Sequence, residues 1–223
     1  MLRDLKDWRI KMKKTLSLIL VLALGLAMTL SLASCKTNKK KDIYEQAAEL
    51  APTTVTTLVE YTTSSGDKLE GEYVLQSEGE DSIFTYTFDR YRTSAEAIED
   101  GKSDTIKTVS GVIYYQYGEY SMDGEDWNTA PVPANIKLNL VASKLTGAVI
   151  TADGKTLTAT VAPENAASVL GSDLSCDGAI SIKVVSNGTY ITALTITCTT
   201  KEGANLFIRT SYSYNKIELE FPA

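Results

Sequence analysis

Apolar positions fall along the chain in three regimes. From 16 to 32 (LSLILVLALGLAMTLSL) they are nearly continuous, and residues 15–34 carry no charge. From 42 to 50 (DIYEQAAEL), Ile43, Ala47 and Leu50 recur at i, i+4 and i+7 and Pro52 follows, which predicts a short helix with one apolar face. Beyond Pro52 the period changes to two and largely stays there, the alternation expected of strands with one buried face.

Four turns in this region share one chemistry: a three-residue loop ending in Gly, the position that takes positive φ in a type I turn with a G1 bulge. They are Ser64, Ser65, Gly66; Ala152, Asp153, Gly154; Ser186, Asn187, Gly188; and Lys201, Glu202, Gly203. Such a loop pairs residues of equal parity, which the apolar pattern can check. Around Gly66, Val55, Val59 and Tyr61 face Leu75, Gly71 and Leu69; around Gly154, Leu145 and Val149 face Val161 and Leu157. Around Gly188, Ile180, Ile182 and Val184 face Leu194, Thr192 and Tyr190; around Gly203, Ile196 faces Ile208, Thr192 faces Tyr212 and Tyr190 faces Tyr214. A slip by one residue turns half of each apolar set to water, so each register is well specified.

Further strands are expected at 83–91, 105–109, 112–117 and 120–127, the last after a turn at Gly118 and Glu119. Short helices are expected from a capping box at Thr93–Glu96 to Gly101, and over 165–170, closed by Gly171. Residues 130–145, with Pro131 and Pro133 early and Ile136, Leu138 and Leu140 alternating, read as a helix or a crossing strand. The sum is a mainly β domain: one antiparallel sheet of about ten or eleven strands with few helices and no internal boundary. Its apolar face needs a cover: a closed barrel covers itself, a sandwich folds one half on the other, and an open half-barrel needs helices or a ligand, the helical candidates being the Ile43, Ala47 and Leu50 face and residues 130–145.

The N-terminal regime reads as an address. Arg9, Lys11, Lys13 and Lys14 precede the apolar run, the layout of a secretory signal; Met12 opens a more usual signal start than Met1. The run ends in Leu32, Ala33, Ser34 and Cys35, which resembles the lipobox of bacterial lipoproteins at all four positions. In that family the Cys thiol takes a diacylglycerol thioether and becomes the mature N-terminus. The organisation implied is a lipoprotein-type signal peptide over 1–34, lipidated Cys35 with a basic tether (KTNKKK, 36–41) over 35–41, and a β domain over 42–223. The alternative is a plain transmembrane anchor, since twenty uncharged residues just span ~30 Å of hydrocarbon. Two acyl chains anchor stably where one does not. The expected location is the extracytoplasmic face of the cell membrane, most naturally of a Gram-positive bacterium.

Composition narrows the partners. The 22 basic and 28 acidic residues give a net charge of −6, which becomes −10 without residues 1–34. Nucleic acid needs a basic face, and none is expected here. There is no His, which removes imidazole as base, shuttle or metal ligand. No cofactor, metal or catalytic residue is expected, and the chain reads as a non-enzyme.

The order of these parts (lipobox, tether, early amphipathic helix, about eleven antiparallel strands with helices inserted midway) resembles the lipoprotein-carrier superfamily. Its members include the Lol carriers of the Gram-negative periplasm and the LppX/LprG-type lipoproteins of mycobacteria. The ending, with Tyr212, Tyr214, Asn215 and IELEFP (217–222), also looks like lipoproteins of clostridia-type bacteria. The resemblance implies an unclosed half-barrel, with short helices on its concave face, that holds lipid or acyl chains. On this reading the ligand-lining residues are Tyr61, Tyr73, Phe84, Tyr86, Leu194, Ile208 and Tyr212. No motif of the Lol carriers' own working residues is present to carry over. The competing reading is an envelope structural or interaction protein with a filled core, presenting Tyr114, Tyr117, Tyr120 and Trp127 to a protein or glycan.

Under the register around Gly188, Cys176 and Cys198 fall directly opposite at a non-hydrogen-bonded pair, with Cα atoms ~4.5 Å apart, within disulfide range; two buried free thiols are the alternative. The acidic run Asp123 to Asp126 lacks the ligand spacing of a calcium loop and reads as a solvated turn.

Overall fold

The computed structural model describes residues 41–91, 105–125, 128–129, 138–171, 174 and 176–222. The expected signal over 1–34, Cys35, most of the basic run 36–41, the expected helix at 93–101, Trp127 and residues 130–137 lie outside them.

Helix α1 (Ile43–Ala48) forms where the apolar spacing places it. The Asp42 carboxylate accepts from the amides of Tyr44 and Glu45, and the Glu45 side chain accepts from the Asp42 amide, a capping box that meets the first orphan donors of the helix. Ile43, Gln46 and Ala47 are buried. The chain then alternates through β1 (Thr54–Thr62), β2 (Lys68–Glu78), β3 (Asp81–Tyr91), β4 (Thr105–Gln116), β5 (Glu119–Ser121) and β6 (Asn128–Thr129). A second meander comprises β7 (Leu145–Ile150), β8 (Thr156–Val161), β9 (Ile180–Ser186), β10 (Ile191–Thr199) and β11 (Asn205–Ser213). Between β8 and β9, a 3₁₀ turn (Pro163–Asn165) runs into α2 (Ala166–Leu170), which Gly171 ends at φ 69°.

Pairing of β1 with β11 joins the two meanders into one 11-stranded antiparallel sheet, ordered β6-β5-β4-β3-β2-β1-β11-β10-β9-β8-β7. The sheet is not closed into a barrel: β6 ends it on one side and β7 on the other. The chain between them crosses from one edge to the other, and Leu138 and Leu140 of that segment are buried.

The registers around Gly66 and Gly203 are as the parity argument predicts, with Val55 opposite Leu75, Val59 opposite Gly71 and Ile196 opposite Ile208. The other two hairpins differ. Val184 pairs with Leu194 and Ile182 with Ile196, a register four residues away from the expected one. A longer loop and an irregularity between Ile191 and Ala193 absorb the difference. An even shift keeps every apolar residue on its face, so parity is blind to it. In the Gly154 hairpin, Leu145 meets Val161, but a bulge between Thr146 and Val149 moves Val149 opposite Thr158 and Ile150 opposite Leu157. The expected strands at 105–109 and 112–117 are one strand running through Gly111. The turn that follows is Tyr117 and Gly118, at φ 53° and 82°, a two-residue hairpin loop with both residues left-handed. Of the strand expected over 120–127, Glu119–Ser121 forms and residues 122–125 bend away.

Gly111 and Gly71 have a packing reason. A Cβ on Gly71 would lie 1.9 Å from the Phe88 ring, and one on Gly111 would lie 2.6 Å from the Tyr86 hydroxyl. Each aromatic lies across the glycine opposite it in the ladder.

Candidate functional site

The concave face is an aromatic and aliphatic strip. Tyr73 lies 5.5 Å from Phe84, Phe84 5.8 Å from Tyr86 and Tyr86 6.2 Å from Phe88, ring centroid to centroid. Leu194, Ile208 and Tyr212 continue the strip across β10 and β11. Of the seven expected lining residues, Tyr73, Phe84, Leu194 and Ile208 are at most 1% exposed and Tyr212 is 6% exposed; Tyr61 and Tyr86 are half-buried.

The cover is the chain's own. Ile43, Ala47 and Leu50 of α1 and its exit, Leu138 and Leu140 of the crossing segment, Val169 and Leu170 of α2, and Leu174 and Cys176 belong to the same apolar cluster as the strip. The Asn139 amide donates to the Val169 carbonyl at 2.8 Å, tying crossing segment to helix. Two shallow, open depressions of about 450 and 400 Å³ exist, but both lie on the outer face. Outward-pointing Glu60, Ser181, Thr197 and Phe207 line the first, and Thr158, Lys183 and Thr195 help line the second. None of the seven concave residues lines either one.

A polar bolt fixes the cover, and sequence reasoning did not find it. The Gln46 amide nitrogen donates to the Lys41 carbonyl at 2.8 Å, while its oxygen accepts from the Ser186 hydroxyl. Ser186 Oγ in turn accepts from the Gly188 amide at 2.8 Å. The point where residues 1–40 join the domain is thereby held beside the β9–β10 loop, and Lys41 also pairs with Glu49. A glutamine on the apolar side of an amphipathic helix was the available signal.

The tyrosines show what the strip does to polar groups. Burial pushes the hydroxyls of Tyr73, Tyr212 and Tyr214 far above the ordinary tyrosine range and that of Tyr115 up to about 12. Burial also raises Tyr61, assisted by the Glu202 carboxylate. The Tyr73 hydroxyl makes no hydrogen bond of good geometry among the described residues. The nearby Thr57 hydroxyl offsets only part of its burial and is itself shared with Thr210 at 3.0 Å.

Cys176 and Cys198 are joined in a disulfide with Cα atoms 6.2 Å apart. They are not directly opposite, as the expected register had them. Cys176 bridges to Thr200, so the disulfide runs diagonally across the ladder. Among the four expected surface aromatics, Tyr117 is 83% exposed, Tyr114 packs on Phe221 at 6.2 Å and Tyr120 on Tyr115 at 6.5 Å. Among the described residues no group of three metal-ligating side chains converges, and no helix is long and apolar enough to cross a membrane.

No family model matches the chain, and no curated protein matches it either. Among solved structures it is similar to the hypothetical protein CT021 from Chlamydia trachomatis. The two share 12% identity over 82% of this chain and 97% of that one, with a TM-score of 0.29. A likeness at that level carries no argument. The fold itself defines a class: a mainly β domain built on a single unclosed antiparallel sheet with short helices on its concave face.

Proposed function

We propose that this chain is a lipid-anchored extracytoplasmic lipoprotein, held to the membrane through diacylglyceryl Cys35, whose β domain works by non-covalent recognition at its surface. The anchor rests on Leu32, Ala33, Ser34 and Cys35 at the end of an apolar run that follows a basic segment. Surface recognition rests on one observation: the concave strip is already packed by α1, α2 and the crossing segment, with five of its seven central side chains at most 6% exposed. A filled interior leaves the outer face, the rims and the loops to meet a partner. The absence of His and of any nucleophile–base pair in the sequence supports a non-catalytic role.

The second reading is carriage of a lipid or acyl chain in the concave face, within the lipoprotein-carrier superfamily. The unclosed sheet and its continuous aromatic strip favour it, and it requires the helical cover to leave the strip. A fluorescent fatty acid separates the two readings. Under surface recognition its emission is unchanged by the protein; saturable uptake lost in Leu194→Trp makes carriage the function. For the anchor, Cys35→Ala is expected to move the protein from the membrane to the soluble fraction, and unchanged membrane retention rejects it.

A further inference from the structure

Among the described residues, five large apolar side chains are exposed: Tyr117 (83%), Met122 (63%), Val149 (62%), Tyr190 (48%) and Ile150 (41%). The ladders place all five at one rim. Thr54 at the start of β1 pairs with Ser213 at the end of β11 and with Gln76 near the end of β2. Glu78 meets Asp81, Ser82 meets Tyr115 and Gln116 meets Glu119, so the Tyr117 turn lies at that end, with Met122 three residues along the returning arm. On the other side, Ala193 meets Ser211, Ile191 meets Ser186, Val185 meets Thr156 and Leu157 meets Ile150. The Val149–Ile150 end of β7 and the Tyr190 loop therefore share the rim. Tyr190 stacks on Tyr214 at 4.5 Å, and the Tyr214 hydroxyl donates to the Ile191 carbonyl at 2.7 Å, which holds the pair in place. The loops of the opposite rim, 64–66 and 201–203, expose Ser, Gly, Lys and Glu.

The chain enters the domain at the apolar rim. Gln46 holds the Lys41 carbonyl and the Ser186 hydroxyl together, so residues 1–40 join beside the Tyr190 loop. Cys35 lies six residues before Lys41, a reach of at most ~20 Å. Soluble domains scatter exposed apolar side chains singly; gathering the large ones of the described residues at one end marks a contact surface. Tyrosine is at home where one end of a group is apolar and the other wet, as at a lipid headgroup layer.

We propose that this rim is a lipid-docking surface: Tyr117, Met122, Val149, Ile150 and Tyr190 rest in the headgroup layer of the bilayer that holds Cys35. The proposal rests on the lipid-anchor reading. It fixes the orientation of the domain, with the loops at 64–66 and 201–203 pointing away from the membrane. Contact is apolar rather than electrostatic, because Glu78, Glu80, Asp81, Glu119 and Asp153 share the rim with few cations, Lys41 and Lys155 among them.

The test is amide hydrogen exchange on the lipidated chain, in phosphatidylcholine vesicles and in detergent. In vesicles, amides of 117–122, 149–153 and 187–190 should exchange at least about threefold more slowly, while those of 64–66 and 201–203 keep their rates. The triple variant Tyr117→Ser, Val149→Ser, Tyr190→Ser, all at exposed positions, should float with vesicles and lose the slowing. Adding phosphatidylglycerol at low salt should weaken it, and salt should restore it. Equal rates in vesicles and detergent, in a chain that still floats, overturn the docking and leave the anchor standing. Stronger slowing on anionic lipid overturns the apolar mechanism. A Cys35→Ala chain that floats as well as the parent overturns the anchor itself.

Discussion

Tyr73 carries a hydroxyl into the middle of an apolar strip and finds no hydrogen-bond partner for it among the described residues. A buried unsatisfied hydroxyl costs about 1–3 kcal/mol, whereas removing it leaves the ring's packing on Phe84 intact. Tyr73→Phe is therefore expected to be neutral or to stabilise the domain by up to about 1 kcal/mol in chemical denaturation. A loss of more than that would mean the hydroxyl is satisfied, for example by an ordered water. The same burial sets a pH limit. Unfolded tyrosines ionise near ~10, but Tyr115 is held up to about 12 and Tyr73, Tyr212 and Tyr214 are held higher than ordinary tyrosines. Above pH ~10 the unfolded chain binds fewer protons than the folded one, so stability is full below that pH and falls as pH rises beyond it. Tyrosinate absorbance should then rise together with loss of ellipticity for these residues. A full tyrosinate signal from a still-folded domain would contradict their burial.

At the scale of elements, Gly71 shows how β2 and β3 fit. Phe88 occupies the space a side chain would need, so Gly71→Ala must displace a buried ring and is expected to destabilise by about 1–3 kcal/mol. Thermal denaturation measures it, and a neutral result would show the ring free to swing away. The hairpins also show what a sequence reveals and what it hides. Gly66 and Gly203 close short loops, and there parity and loop length together set the register. At Gly188 parity is satisfied by the expected register and by the observed one four residues away, and only the loop's own geometry separates them. At Gly147 a bulge at φ 61° reverses the parity partway along β7, turning Val149 to solvent. Alternation named the residues of the concave strip, from Tyr73 to Tyr212. Alternation alone does not say what lies over them; the helical spacing of Ile43, Ala47 and Leu50 and the apolar Leu138 and Leu140 marked the cover, whereas α2, distant in sequence, gave no such sign. The Gln46–Ser186 bolt, 140 residues apart, was hidden for the same reason.

For the whole molecule, the decisive feature is a sheet that stays open yet whose hollow is filled by its own chain. The crossing from β6 to β7 is the topological cause: the segment must pass from one edge to the other, and Leu138 and Leu140 are buried on the way. An open sheet thus gains a core without closing, and it keeps a rim where Lys41 enters the domain beside the Tyr190 loop. The most direct measurement of this account is native mass spectrometry of the protein isolated from its own membranes. The account predicts the mass of the polypeptide with its Cys35 lipid and nothing more. A second amphiphile riding with the domain, and lost when Leu194→Trp crowds the strip, would show that the hollow is a binding site and contradict the filled-core account.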